Sequence, residues 1–550
     1  MAFHFFTDVW KNEQMAKEWS VTTPIRLYKN KGDKKICDNY REIALLIATS
    51  KIFSHIILNR IQDLIDGQLL EIQSGFRPNR STTDQIFTLK MTMERKRSEF
   101  NKPLLMCFID IAKAYDSVNR DLLWIVCHSY GISEKLINLL KMLYKDSIAK
   151  VKVNGEVSDR FEMKTGVMQG GIPSPILFNI LFDFIIRRVI DEAGVTGVKF
   201  SYGSNDFCHG RSENHDDFHI LALLYTDDLV VMCETATDVE KFIKTFEKVT
   251  QQFGLTMSIK KTCLMSLQQL QENQYRKVLR GQNANYTDIN INIRSQKIET
   301  ADALAYLDCT ITNDVRQGTE LSARLTKASK TFNICFNMLR HAIWHRKSVS
   351  ITARLRIFRA CILPVLLYGS ETWVLTIKQE QRIASFYNRC LRTIIGVNLS
   401  DRMSNETLLD ITGQPSIENI IRRNRLQWFG HVNRAANQHG CSSLTKKTMF
   451  GYFHGEKRPS NMGRSKRWEY SVLKDIEELN IGNWSKMTLD RSRWHETINR
   501  NVHVNSVNKN VKIIVHDYKQ HATQRRKVER AIPTGVIKRK VTEILVKENN

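Results

Sequence analysis

The sequence predicts an α+β protein of several packed units around a shared site, and three features carry that expectation. A chain of 550 residues exceeds what one hydrophobic core normally organises, which points to three or four units. Two short apolar strands, LLMCFID and LALLYTDD, each run into carboxylates, and a helix beginning after the Pro173 to Pro175 turn separates them. Hydrophobic residues at 42%, charged residues at 25% and only 9 prolines describe a chain that can bury cores.

Taken in order, residues 1–20 form a short leading remnant. Residues 21–100 read as a mixed unit: the strand-like VTTPIRLY, the basic turn KNKGDKK, then a helical run from Ala44 to Ile65 whose apolar spacing suits packing. Residues 101–265 hold the two carboxylate-ended strands and read as a small sheet backed by helices. The stretch 266–345 turns polar and helical, and 346–510 carries dispersed aromatic and basic residues on predicted helices. Residues 511–550 form a basic tail; the last fifty residues hold 11 Lys and Arg against 4 Asp and Glu, which suits a solvated or nucleic-acid-touching segment. No internal repeat or low-complexity tract interrupts this order.

With 82 Lys and Arg against 57 Asp and Glu, the net charge of +25 favours a polyanionic partner, nucleic acid first, although a merely solvated basic surface stays open at this point. The 11 cysteines are scattered singly, as at Cys37, Cys107, Cys263 and Cys361, without the close pairs of a structural zinc site, so reduced intracellular thiols are expected. The start, MAFHFFTDVWKNEQMAKEW, mixes charge into every turn, and no later run approaches 18 apolar residues; neither secretion nor a membrane partner is expected.

Asp110 ends the strand Phe108-Ile109-Asp110, and Asp227-Asp228 follows Leu221 to Tyr225 where a two-stranded hairpin would turn, so three carboxylates can converge at one edge. Close unpaired carboxylates repel by roughly 4 kcal/mol per pair at an effective dielectric near 20, so convergence calls for cations. Magnesium suits oxygen ligands and shares its shell with substrate phosphates, the arrangement nucleotidyl transfer requires. An Asp pair alone is as readily a solvated turn or a helix cap; the case rests on both clusters following apolar strands.

These residues resemble a known family, over most of the chain from about Pro24 to Trp468: the reverse transcriptases of non-LTR (LINE-type) retrotransposons. FIDIAKAYDSV, with Asp110, Ala114, Tyr115 and Asp116, is similar to the family's first palm motif. YTDD is similar to its second aspartate motif, where alanine usually stands in place of Thr226. Between them, GVMQGGIPSPILFN resembles the glycine turn and helix of the same family. The resemblance implies a right-hand polymerase of fingers (21–100), palm (101–265) and thumb or connector (266–345), with a mostly helical basic C-terminal extension. It further implies that Asp110, Asp227 and Asp228 hold two magnesium ions, with manganese able to substitute.

The same resemblance assigns further roles. Gln169 and Gly170 would line the floor for the incoming nucleotide, where absent side chains permit close backbone approach. Tyr115 would lie under the deoxyribose and clash with a ribose 2′-hydroxyl; an ordinary core tyrosine is the competing reading. In KGDKKICDNYR, Lys31 and Arg41 stand where relatives hold the triphosphate. QSGFRPNRST is similar to the finger segment lying against the template, with Arg77 and Arg80 as candidate backbone contacts. In GLTMSIKKT, Lys261 matches the lysine proposed to protonate departing pyrophosphate, with a plain surface lysine as the alternative. LRIFRACILPVLLYGSETW, FYNRCLRTIIG and RRNRLQWFGHVNR resemble the region after the polymerase, where Arg425, Trp428 and His431 would either meet nucleic acid or form core.

The implied partners are an RNA template, a DNA primer or target and deoxynucleoside triphosphates, at chromosomal DNA in the nucleus. Complete elements also encode an endonuclease ahead of the polymerase, and about twenty residues precede the finger motifs here, so a fragment lacking that nuclease is expected. Glu42 stands where proline is common, Asp308 replaces a glycine after Tyr306-Leu307, and Met168 replaces a frequent basic residue. These departures leave two alternatives open: a decayed copy that binds nucleic acid without polymerising, and an RNA-dependent RNA polymerase on a similar palm, against which Tyr115 argues.

Overall fold

The computed structural model describes the chain apart from residues 1, 17–18, 20, 30–31, 100, 146–147, 150–151, 154–155, 160, 203–215, 269–288, 340–342, 345, 347, 436–442, 454–466, 501–506, 508–509 and 532–550. It divides into two compact units, Met1–Arg316 with His431–Ser471, and Gln317–Gly430 with Val472–Asn550. The expected α+β class holds: the first unit mixes sheets and helices, and the described elements of the second are helices. The units cut the chain differently from the sequence boundaries. Residues up to Arg316 stay in the unit that holds the two carboxylate-ended strands, and 431–471, read from sequence as part of the C-terminal region, belongs to that unit too.

The centre of the first unit is a five-stranded sheet in the order Ala222–Tyr225, Asp228–Cys233, Leu104–Ile109, Cys263–Leu267, Glu299–Thr300. Leu104–Ile109 is apolar on both faces and almost wholly buried, which is why it takes the middle place. It pairs antiparallel with both neighbours, Ile109 opposite Leu229 and Phe108 opposite Cys263. Two helices pack on each other and contribute to the same core. Ser174–Ala193 starts with proline in its first turn and ends at Gly194 with φ 57°. Ala236–Gln252 is amphipathic and capped by Thr235, whose hydroxyl accepts from the Asp238 amide.

Ahead of the sheet, Val21–Tyr28 and Tyr40–Leu45 form an antiparallel hairpin with Tyr28 opposite Tyr40. Glu42 lies on the edge strand opposite Arg26, so the N–H that proline would lack is not needed by a further strand, and the pair of opposite charges is accommodated. Near the end of this unit the helix Leu444–Phe450 lies along the helix Thr82–Glu94, and Gly451–Tyr452 adds a strand beside Val198–Tyr202.

The second unit has its own core, in which Phe358, Trp373 and Tyr387 are buried among helices that include Gly318–Met338 and Ile377–Ile395. A capping box of Thr376 and Gln379 starts the latter helix and Gly396, φ 77°, ends it. Among the described residues, no helix is long and apolar enough to cross a membrane.

Candidate active site

In the hairpin of Ala222–Tyr225 and Asp228–Cys233, Tyr225 pairs with Asp228, so Thr226 and Asp227 make a two-residue turn. Continuing the register from Leu229 opposite Ile109 sets Asp228 across from Asp110, which brings the three aspartates to one end of two adjacent strands. Their fields overlap. The Asp228 carboxyl is pushed up to about 6, first by desolvation and then by Asp227 and Asp110, with Arg41 opposing. Asp227 is raised as well, mainly by desolvation and further by Asp110, while Arg41 and Lys261 pull it down. Tyr306, fully buried, has its hydroxyl raised by desolvation and further by Asp228.

Asp110 is held from the opposite side. Its carbonyl accepts from Ser258 at 2.8 Å, and the Ala112 amide donates to Thr256 at 2.8 Å, so the segment carrying Lys261 lies along it. The Lys261 ammonium then reaches Asp110 Oδ2 at 3.0 Å while remaining mostly exposed. Among the described residues, no group of three or more His, Cys, Asp and Glu side chains is drawn close enough to hold a metal ion. The donor set fits a hard divalent cation all the same: hard carboxylate oxygens, two of them raised by desolvation and then by neighbouring carboxylates, are what such a cation relieves.

Tyr115 lies half-buried beside this edge. Its ring stacks on Phe178 at 4.9 Å and 10°, and Asp227 contributes to raising its hydroxyl after desolvation. The ring is thus braced against the Ser174–Ala193 helix with its hydroxyl within the field of Asp227, a position compatible with a sugar gate and with the core reading. The Gln169 carbonyl accepts from the Ala44 amide at 2.7 Å, and Gly170, φ 100°, stands where a Cβ would meet the Ala44 carbonyl at 2.9 Å. The floor turn is therefore stitched to the edge strand that carries Arg41, whose charge reaches Asp227 and Asp228. Lys31 lies outside the described residues.

Two expectations are corrected. The Arg77 guanidinium, expected on the template backbone, is buried and spent internally: on Asp66 Oδ1 at 2.7 Å and on the carbonyls of Asp66, Leu70 and Gln73. Arg80 is paired with Glu71 at 2.5 Å and is nearly as enclosed. Both hold the finger segment's own loop together: Arg77 turns its Nε and both Nη groups onto that loop, and Arg80, committed to Glu71, leaves little of its side chain exposed to meet a phosphate. Of the C-terminal trio, Arg425 pairs with Asp475 at 2.6 Å and Trp428 is buried, so the core reading prevails for those two. Sequence reasoning passed over Gln73, whose amide holds the backbone of Thr226. A neutral amide in the run Ile72-Gln73-Ser74 gives no periodic or charge signal by which to find it.

With this geometry in place, residues 28–311, more than half of the chain, match the family described as reverse transcriptase (RNA-dependent DNA polymerase). The chain belongs to this family. With the family comes the right-hand polymerase architecture. Among relatives, a probable RNA-directed DNA polymerase from transposon BS of Drosophila melanogaster is 22% identical over 69% of this chain and 38% of its own length. The RNA-directed DNA polymerase from mobile element jockey of the same fly is also 22% identical, with the same coverage of 69% and 38%. The Pol polyprotein of retrotransposable element R2 from Nasonia vitripennis is 24% identical over 42% of this chain and 20% of its own. The resemblance to non-LTR elements therefore stands, and the chain spans under two fifths of the length of these relatives. Among solved structures, apo telomerase from Candida tropicalis aligns with a TM-score of 0.38 and 13% identity over 90% of this chain and 74% of that one.

Proposed function

We propose that the chain is the RNA-directed DNA polymerase of a non-LTR retrotransposon, adding deoxynucleotides to a primer 3′-hydroxyl on an RNA template. The observation that supports it most is the strand register that brings Asp110, Asp227 and Asp228 to one end of adjacent strands. Two magnesium ions held by these aspartates would supply charge neutralisation at the triphosphate and a more acidic attacking hydroxyl. Arg41, next to the aspartates, would balance triphosphate charge with Lys31. Tyr115, braced by Phe178, would exclude a ribose. Lys261, with its ammonium 3.0 Å from Asp110, would keep a proton at hand for the leaving pyrophosphate. The template would be RNA, the primer or target DNA, and the place of action chromosomal DNA in the nucleus.

The test is magnesium-dependent extension of a DNA primer on an RNA template by the purified chain, beside the Asp227→Ala/Asp228→Ala double variant. Extension by the native chain that the double variant loses by at least about a thousandfold supports the reading. Nucleic-acid binding with no extension by the native chain means a copy that only binds, and preference for ribonucleotides overturns the assignment of DNA as product.

A further inference from the structure

We infer that Gln73 is a positioning residue for the Asp227–Asp228 turn, acting through the backbone of Thr226; its consequence for catalysis rests on the polymerase reading above. Residues 72–74 lie parallel to the outer strand of the palm sheet: the Leu224 amide donates to the Ile72 carbonyl at 2.9 Å and the Ser74 amide to the Leu224 carbonyl at 2.9 Å. This sets Gln73, only 1% exposed, beside the turn that follows the strand. Its Oε1 accepts from the Thr226 amide at 3.0 Å and from the Gly75 amide at 2.8 Å, and its Nε2 faces the Thr226 carbonyl at 3.4 Å. One side chain thus engages both backbone polar groups of the residue before Asp227.

The neighbours are arranged for that contact. A Cβ on Gly75 would meet the Thr226 nitrogen at 2.5 Å, so only glycine lets the loop approach this closely. The Gly75 carbonyl accepts from Asn179 Nδ2 at 2.7 Å, which ties the clamp to the helix under Tyr115. Gln85 Nε2 donates to the Ile72 carbonyl at 2.9 Å and to Ser74 Oγ at 2.5 Å, which ties it to the helix Thr82–Glu94. Thr226, β-branched with φ 62°, is a residue that does not adopt this turn by its own preference. The turn is therefore fixed from outside, and Gln73 fixes it without touching the reacting atoms.

The experiment compares the full chain with Gln73→Met, which keeps length and removes both polar groups, and Gln73→Glu, which keeps the acceptor. Hydrogen exchange of a peptide covering 222–230 is read beside thermal melting and the kcat and KM of primer extension. The expected result for Gln73→Met is exchange at the turn faster by about tenfold or more while amides of Ala236–Gln252 stay protected. Its kcat falls by about 10–100-fold with KM for the deoxynucleotide within about threefold of native. Gln73→Glu recovers part of the protection, because its carboxylate still accepts from the Thr226 amide. Unchanged exchange at the turn overturns the inference. So does exchange at the turn that rises only in step with the whole unit in both variants, which marks Gln73 as packing alone. If the native chain extends no primer while Gln73→Met still loosens the turn, the polymerase reading fails and the clamp stands.

Discussion

A β-branched side chain at φ 62° costs on the order of 1–3 kcal/mol, and Thr226 adopts that conformation with its hydroxyl buried and unpartnered. Gly75 is the residue that makes this tolerable, because it leaves room for the turn's backbone. Gly75→Ala is expected to destabilise the protein by about 1–3 kcal/mol through overpacking against the Thr226 nitrogen, measured by denaturant unfolding. A second prediction concerns Glu94, buried and pushed up to about 8 by desolvation and by Glu469, against the pull of Arg95. Its folded pKa lies above its unfolded one, so between about 4.5 and 8 the folded state binds more proton and stability falls as pH rises. Glu94→Gln, which keeps the acceptor facing the Trp468 amide, is expected to match the native protein near pH 4 and to melt about 2–4 °C higher or more at pH 8. Equal melting at both pH values would count against a buried, neutral Glu94. The placement of Asp110, Asp227 and Asp228 at one sheet end was legible at this scale because each follows an apolar strand. Arg77 and Arg80 were misread because a sequence displays a positive charge but not the Asp66 and Glu71 that consume it.

Hairpins decide the geometry at the scale of elements. The pair Ala303–Tyr306 and Cys309–Thr312 turns through Leu307 and Asp308, both at positive φ, 46° and 64°. Two consecutive positive φ values describe a type I′ turn, which favours glycine at its second position. The departure from the family's glycine at Asp308 is thus a local cost in a turn whose shape is kept. Asp308→Gly is expected to stabilise the protein by about 0.5–1 kcal/mol, read from the denaturation midpoint. A loss of stability instead would mean that contacts of the Asp308 side chain outweigh the strain. The turn's place matters to the site, since Tyr306 at its start packs edge-on at 5.6 Å to Phe108, two residues before Asp110.

At the scale of the whole molecule, the family match ends at residue 311, yet the first unit is not finished there. Trp468, 1% exposed, packs edge-on to Phe87 at 4.7 Å, and Phe453 stacks on Phe200 at 4.8 Å. Arg95 pairs with Glu469 in the interior, and the Thr445 hydroxyl reaches Asp84 at 3.3 Å. A chain ending at Arg316 would uncover these rings and leave Arg95 without its carboxylate, a buried charge that is costly alone. Such a fragment is expected to be aggregated or at least about 3 kcal/mol less stable, and a fusion of residues 431–471 to its end is expected to recover soluble, cooperatively unfolding protein. Soluble, fully stable 1–316 would show the returning segment to be dispensable.

The sequence by itself determined the α+β class, the carboxylate-ended strands, a hairpin turn following Leu221 to Tyr225 and the family, because each is written in a local run of residues: alternating or continuous apolar stretches, a turn pair, a motif of fixed spacing. Only the tertiary structure decided that 431–471 completes the first unit, that Arg77 and Arg80 serve their own loop, and that Gln73 meets the backbone of Thr226. These depend on which distant groups meet. Hydrogen bonds and ion pairs across 153 or 374 positions of chain leave no periodic trace, since the partners are chosen by packing of the core and not by spacing along it.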